Sequence, residues 1–195
     1  NLGERSYDII LKNGALENLY QFARLDRKVA VVTDSGVPAE YAQRVADQCR
    51  ESTIITVPQG EASKSFKILE TVLRQMLEFN MGRGDLVVAV GGGVVGDLAG
   101  FAASCDQRGI PFVQVPTTLL SAVDSSVGGK TAIDIAAGKN LVGAFAGQAH
   151  LKVPVHLPAK QQQAGVHIGK ARHATGQGGL HQRLCHIHII QHHIR

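Results

Sequence analysis

Four short runs of apolar, mostly β-branched residues recur along the first two-thirds of the chain, with helical periodicity in between. "KVAVVTD" (28–34), "TIITV" (53–57), "LVVAV" (86–90) and "PFVQV" (111–115) lack the apolar–polar alternation of a strand with one wet face, which predicts strands covered on both sides. Tyr41, Ala42, Val45, Ala46 and Cys49 fall on one helical face, and Leu69, Val72, Leu73, Met76 and Leu77 recur at i, i+3, i+4, i+7 and i+8. This is the pattern of βαβ units. It predicts an α/β fold with a Rossmann-like, mainly parallel sheet and covering helices. Ser63 is placed to cap the second helix, and "NMGRGD" (80–85) to end it.

The 195 residues suffice for one domain with a sizeable core, or for one domain and part of a second. Cys49, Cys105 and Cys185 are odd in number and widely spaced, which gives neither a disulfide framework nor a zinc ribbon and points to a cytoplasmic setting. The longest nearly apolar run, 86–95, is far short of a membrane span, and no charged-then-apolar leader opens the chain, so no membrane partner is expected. The opening "NLGERSYDIIL" starts in mid-pattern, as if the natural start were missing.

The net charge of +4 is unevenly placed. Residues 1–145 carry all 16 acids and 14 of the 20 basic residues, a net charge of −2. Residues 146–195 carry the other six basic residues and all nine histidines. The basic excess therefore belongs to the tail, and the body has no basic stripe of the kind a nucleic-acid partner needs. The reading is of two parts: an α/β domain over 1–145, and a tail over 146–195 with no sustained period and no acid, which reads as disordered or non-native, like an out-of-frame translation. The rival reading makes the tail a metal-binding segment built from Cys185, His186, His188, His192 and His193, although their crowding matches no known ligand spacing.

Chemistry concentrates where the third run ends. Gly91, Gly93 and Gly96 satisfy G-x-G-x-x-G between a strand and a helix, where bare amides and the helix dipole receive a pyrophosphate. The bland alternative is a glycine-rich turn that only lets the helix pack on the strand. The acid that usually clamps a ribose about twenty residues on is missing, because the next strand ends "VQVP" (113–116). Asp97 discriminates between uses of the turn. In a first helical turn it gains from the dipole whatever else it does; as a ligand residue it accepts hydrogen bonds from a ribose hydroxyl or a carboxamide, beyond the phosphates.

A second cluster follows the fourth run. Thr117 and Thr118 are candidate caps or ligand hydroxyls, and Asp124, Lys130, Lys139 and Asn140 follow. Ligands of open α/β sheets bind beyond the carboxyl ends of strands, where the turns after 86–90 and 111–115 both lie. Two lysines close together beside glycines favour an anionic ligand, although a solvated surface charge is the commoner fate of lysine. Glu61 and Lys64, after the second run, fall at the same end; the alternative for them is a first-turn charge and an intrahelical pair.

Together "GEASK", "GGGVVGDLAGFAAS", "RGIPFVQVPTTLLSAVDSSVGGKTAID" and "GKNLVGAF" resemble the dehydroquinate synthase family, over about residues 2–145, the part corresponding to its N-terminal NAD-binding domain. Single motifs also fit iron-dependent alcohol dehydrogenases and other sugar-phosphate cyclases, but the long "PTTLLSAVDSSVGGKTAID" block (116–134) is most like the synthases. The resemblance implies a shikimate-pathway lyase with bound NAD. Its substrate is 3-deoxy-arabino-heptulosonate 7-phosphate, taken to 3-dehydroquinate by hydroxyl oxidation, phosphate elimination, hydride return and aldol closure.

By the same resemblance Glu61 and Lys64 contact the adenosine side of NAD. Gly93, Val94, Val95, Gly96 and Asp97 contact the pyrophosphate and nicotinamide riboside, and Thr117 and Thr118 the cofactor as well. Lys130 and Lys139 match positions at the cofactor and substrate anions, and Arg108, Asp124 and Asn140 match substrate positions. The position of Arg108 just before a strand also fits a packing or subunit contact, and the family forms homodimers. Its divalent metal, zinc or cobalt, is held by one Glu and two His of a helical C-terminal domain. This chain has no Glu after Glu78 and lacks the family's "AExxKxG" helix, so no metal ligand is expected in it. Two readings follow: a truncated synthase, or an NAD-binding fragment with no turnover of its own.

Overall fold

A computed structural model describes residues 9–10, 12–145 and 153–154. The expected tail, including Cys185 and the tail histidines, lies outside the described residues except for 153–154. The elements in chain order are β1 (Ile9–Ile10), β2 (Lys28–Asp34), α1 (Ala39–Ala46), β3 (Glu51–Val57), α2 (Phe66–Glu78), β4 (Leu86–Gly91), α3 (Gly93–Cys105), β5 (Phe112–Pro116), β6 (Lys130–Ile135), β7 (Gly138–Phe145) and β8 (Val153–Pro154). Short 3-10 turns at Leu19–Gln21, Glu61–Ser63 and Asp106–Arg108, and a π-helical turn at Ser121–Ser125, join them.

The main sheet has the order β3-β2-β4-β5, and every neighbouring pair is parallel. Its two faces bury alternate residues. Ala30, Val32, Val87, Ala89 and Phe112 pack against α2 and α3 residues such as Leu69, Val72, Met76, Val95 and Leu98. Val29, Val31, Val88, Val90, Val113 and Val115 pack against Ala42 and Val45 of α1 and against Leu16 and Leu19. The continuous apolar runs of β2, β4 and β5 thus feed two cores at once, each buried Val or Leu contributing about 1.5–3 kcal/mol relative to exposure.

Three sequence expectations are corrected. β3 is an edge strand in which Glu51, Ile54 and Thr56 are exposed, so it is covered on one face and not two. Leu77 belongs to the apolar repeat of α2 yet is exposed, because Leu69, Val72 and Met76 already fill that contact. The residue at the N-cap of α2 is Ser65; Ser63 lies in the preceding 3-10 turn and donates its hydroxyl to the Pro58 carbonyl at 2.5 Å.

β6 and β7 form a separate antiparallel hairpin, with an irregularity of register between Ile133 and Ile135. It rests on α3. Thr131 and Ile133 point inward and are buried, while Leu141 and Phe145 on the outer face are exposed. β1 and β8 pair in parallel, Ile9 with Val153.

Candidate functional site

The chain leaves β4 through Gly91 and Gly92 and enters α3 at Gly93. Gly92 is the N-cap, without a side-chain cap, and the first helical hydrogen bond is donated by the Gly96 amide to the Gly92 carbonyl at 3.1 Å. The Gly93, Val94 and Val95 amides therefore have no acceptor within the helix and sit at the carboxyl edge of the sheet, at the positive end of the dipole. The glycines serve different purposes. A Cβ on Gly96 would stand 2.5 Å from Gln114 Oε1, so this glycine lets α3 lie against β5. A Cβ on Gly93 would meet Ser125 Oγ at 3.1 Å, whereas one on Gly92 would meet nothing nearer than Thr118 Cγ2 at 3.7 Å.

The turn after β5 closes over the glycines. The Thr117 amide donates to the Gly91 carbonyl at 3.0 Å. Thr118 caps the next turn: its Oγ1 accepts from the Ser121 amide at 3.2 Å, and Ser121 Oγ accepts from the Thr118 amide at 3.3 Å, a reciprocal pair of the capping-box kind. Ser125, at the end of that turn, has a buried hydroxyl with no hydrogen-bond partner among the described residues, beside Gly93.

Beside the glycines lies a charged cluster that joins three distant parts of the chain. Lys64, only 4 % exposed, donates to Asp97 Oδ2 at 2.8 Å and to Asn140 Oδ1, and stands 3.8 Å from Glu61 Oε1. Glu61 also meets Lys139 Nζ at 3.8 Å, and Lys139 is 74 % exposed. The Asn140 amide donates to Asp134 Oδ1 at 2.7 Å, and the Asp134 amide donates to the Lys64 carbonyl at 2.8 Å. A lysine this buried is rare without partners, and these account for it.

Asp97 departs from its expected setting. It lies one turn into α3, and no acid occupies the first turn, so stabilisation by the helix dipole does not explain it. Burial pushes its carboxyl above the ordinary value; the Lys64 ammonium opposes this, and the Glu61 and Asp134 charges add to the rise. A partly desolvated carboxylate beside one cation and two other acids is an acceptor for hydroxyl or amide donors and a poor neighbour for phosphate.

Of the residues read from sequence, Glu61, Lys64, Asp97, Lys139 and Asn140 are brought into one cluster, next to Gly93, Val94, Val95 and Gly96 and near Thr117 and Thr118. Glu61 and Lys64 are not merely an intrahelical surface pair, since Lys64 is buried against α3 and the hairpin. Asp124 is exposed in the turn that brings Ser125 beside Gly93. Lys130 is exposed at the start of the hairpin and is not brought to the glycine turn: its neighbour Thr131 lies against Gly100, seven residues into α3 from Gly93. Arg108 is not brought there: it follows the far end of α3, whose 13 residues span about 20 Å. It sits exposed at φ 66° in a turn where Gln107 and Gly109 also have positive φ. Sequence reasoning missed Asp134 and Ser125, which no spacing rule marks.

Residues 54–161 match the family described as 3-dehydroquinate synthase N-terminal. The chain belongs to the 3-dehydroquinate synthase family. The match runs past Phe145, where the family pattern was expected to stop. A 3-dehydroquinate synthase of Caulobacter vibrioides is 49 % identical over 176 residues, 84 % of this chain and 48 % of the relative. The chain thus spans about half the length of the curated relatives it matches. Among solved structures, 2-deoxy-scyllo-inosose synthase complexed with carbaglucose-6-phosphate, NAD+ and Co2+ superimposes with a TM-score of 0.70 at 29 % identity, over 76 % of this chain and 42 % of that one. The 2-epi-5-epi-valiolone synthase of Streptomyces hygroscopicus, with NAD+ and Zn2+ bound, gives 0.69 at 28 %, over 80 % and 44 %. The four-stranded parallel sheet with covering helices is the α/β fold these structures share.

Proposed function

We propose that this chain is the NAD-binding half of a 3-dehydroquinate synthase acting on 3-deoxy-arabino-heptulosonate 7-phosphate, in the family's cytoplasmic shikimate-pathway role. The observation that carries the reading is the uncapped start of α3: three amides without helical acceptors beside an open Gly92, flanked by an acceptor carboxylate held on a buried lysine. These residues fit a dinucleotide. The Gly93, Val94 and Val95 amides would receive its pyrophosphate, and Asp97, steadied by Lys64, would accept from a ribose hydroxyl or the carboxamide. The family resemblance gives Glu61 and Lys64 to the adenosine side and Asp97 to the nicotinamide side. Their ion pair at 2.8 Å favours a single locus for Lys64 and Asp97. Bound NAD would supply the hydride acceptor for oxidation of a substrate hydroxyl and return the hydride later. The family resemblance gives Asp124, Lys130, Lys139 and Asn140 to the substrate, with the two lysines offering charge to phosphate and carboxylate; of these, Lys139 and Asn140 stand in the charged cluster at this edge. Arg108, remote from this edge, fits a contact with a second copy in a homodimer.

The residues present do not fit the family's metal: among the described residues no group of three His, Cys, Asp or Glu side chains stands close enough to hold an ion. A second reading is that the described residues bind NAD without turnover; a third, another sugar-phosphate cyclase, is disfavoured by 29 % identity to such a cyclase against 49 % to a 3-dehydroquinate synthase.

Calorimetric titration of the folded chain with NAD tests the proposal. Saturable binding is expected, abolished by Gly93→Val, whose side chain would press on Ser125 and cover the open amides. A chain folded by circular dichroism that gives no heat would refute it. Phosphate release from the heptulosonate phosphate, assayed with NAD and zinc or cobalt, separates the synthase reading from the inactive fragment.

A further inference from the structure

The closest-knit part of the charged cluster is a ring. The Lys64 ammonium donates to the Asn140 side-chain oxygen, the Asn140 amide donates to Asp134 Oδ1 at 2.7 Å, and the Asp134 amide donates back to the Lys64 carbonyl at 2.8 Å. Three residues close the circuit with three bonds. Lys64 and Asn140 both carry ligand roles in the reading above; Asp134 carries none.

The hairpin is shaped to make this ring. Its register shifts between Ile133 and Ile135, so that Asp134 is left out of the β6–β7 ladder. Released from the ladder, the Asp134 backbone amide is turned towards the Lys64 carbonyl, and its carboxylate reaches across the turn to residue 140. Bulges of this kind re-aim a residue beside a site. The carboxylate also compensates a backbone cost: Asn140 sits at φ 55°, a left-handed conformation that places its amide on Asp134 and its side chain on Lys64. Without an acceptor at Asp134 Oδ1, the turn has no fixed reason to keep that conformation, and Lys64 loses the partner that shares it with Asp97.

We propose that Asp134 is a positioning residue, whose place opposite the extra residues 139–141 of β7 fixes Asn140 in its left-handed conformation and thereby aims the Lys64 ammonium at Asp97. It holds Asn140 through geometry, with its oxygen as a hydrogen-bond acceptor; its charge, which adds to the rise of the Asp97 carboxyl, is not what fixes the turn. Its effect on cofactor affinity rests on the NAD reading given above.

Two substitutions in the full 195-residue chain separate geometry from charge. Asp134→Asn keeps an oxygen acceptor in the same place and loses the charge. Asp134→Glu keeps the charge and moves the acceptor by a methylene. Expected are an NAD affinity within about twofold of the parent for Asp134→Asn and a loss of about tenfold for Asp134→Glu, the equivalent of one displaced hydrogen bond. The reverse order, or no change in either, overturns the proposal. Amide exchange at Asn140, followed by NMR, reads the ring without the cofactor. It should be slow in the parent and in Asp134→Asn and at least about tenfold faster in Asp134→Glu. Equal exchange in all three overturns the ring, whereas a parent chain that shows slow exchange but no NAD binding refutes only the cofactor reading.

Discussion

Two faces of the same helix solve opposite problems. On one, Gly96 and Gly100 strip α3 down so that β5 and the hairpin come into direct contact: a Cβ on Gly96 would reach Gln114, and one on Gly100 would fall inside contact distance of Thr131 and 2.9 Å from Phe112. On the other, Asp97 carries a charge out to Lys64 and, through it, to Asn140 of the hairpin. The first face is a matter of volume, tolerates no addition, and holds the layers together. The second is a matter of partners, is one-fifth exposed at Asp97, and gives up some stability to keep a carboxylate poised. Fold and site are thus separable although they share thirteen residues.

The largest expected effect comes from breaking the sealed face. Gly100→Leu should cost about 3 kcal/mol, the upper range for overpacking a filled core, since both Thr131 and Phe112 must move. Urea unfolding checks it, and a variant as stable as the parent would show that the helix floats free of the hairpin.

A smaller effect should mark the charged face. Burial raises the Asp97 pKa in the folded protein above its ordinary value near 3.8. Between those two values the folded chain holds a proton that the unfolded chain has released, so stability falls as pH rises through that window and is level above it. Asp97→Asn removes this fall. Unfolding free energies of parent and variant, taken from pH 3.5 to 7, should diverge in that window in the variant's favour. A parent that gains relative to the variant as pH rises would mean that Lys64 outweighs burial.

The smallest structural effect is expected at the exposed ligand candidates. Asp124→Ala and Lys130→Ala should each change stability by within about 0.5 kcal/mol. In a full-length synthase carrying this domain, both should lower turnover by far more than that. Lost thermal stability with unchanged turnover would move them from the site to the scaffold.

The sealed face was largely legible in the sequence and the charged face only in part. β2 spans the same residues, 28–34, that the run marks, because burial on two sides makes Val29, Ala30, Val31 and Val32 continuously apolar. The G-x-G-x-x-G spacing likewise located the turn. Lys64 was legible as a ligand candidate but not as a buried residue, since no periodicity reports that a charge is covered by partners 33 and 76 positions away. Asp97 looked like a first-turn acid because a helix start is uncertain by a residue or two, and α3 begins early enough to carry it into the second turn. The hairpin gave no strand signal: it is buried on one side only, its alternation is interrupted by Lys139, Asn140 and Gly143, and a shift of register breaks it at Asp134. Asp134 and Ser125 are defined by their contacts alone.

The all-parallel order of the sheet also fixes when its parts can come together. No ladder in β3-β2-β4-β5 can be closed by a tight turn, and the central one joins Val29 to Leu86, with a helix, a strand and another helix in between. Such long-range pairings form slowly, in milliseconds to seconds, whereas a hairpin like β6–β7, turning at residues 136–137, zips in microseconds yet has little stability alone. The quickest piece of the molecule must therefore wait for the slowest. Lys64 and Asp97 stand in register only when β3 and β4 have both found β2, so the two bonds that tie the hairpin to Lys64 wait for the sheet, while the bond from Asn140 to Asp134 lies within the hairpin itself.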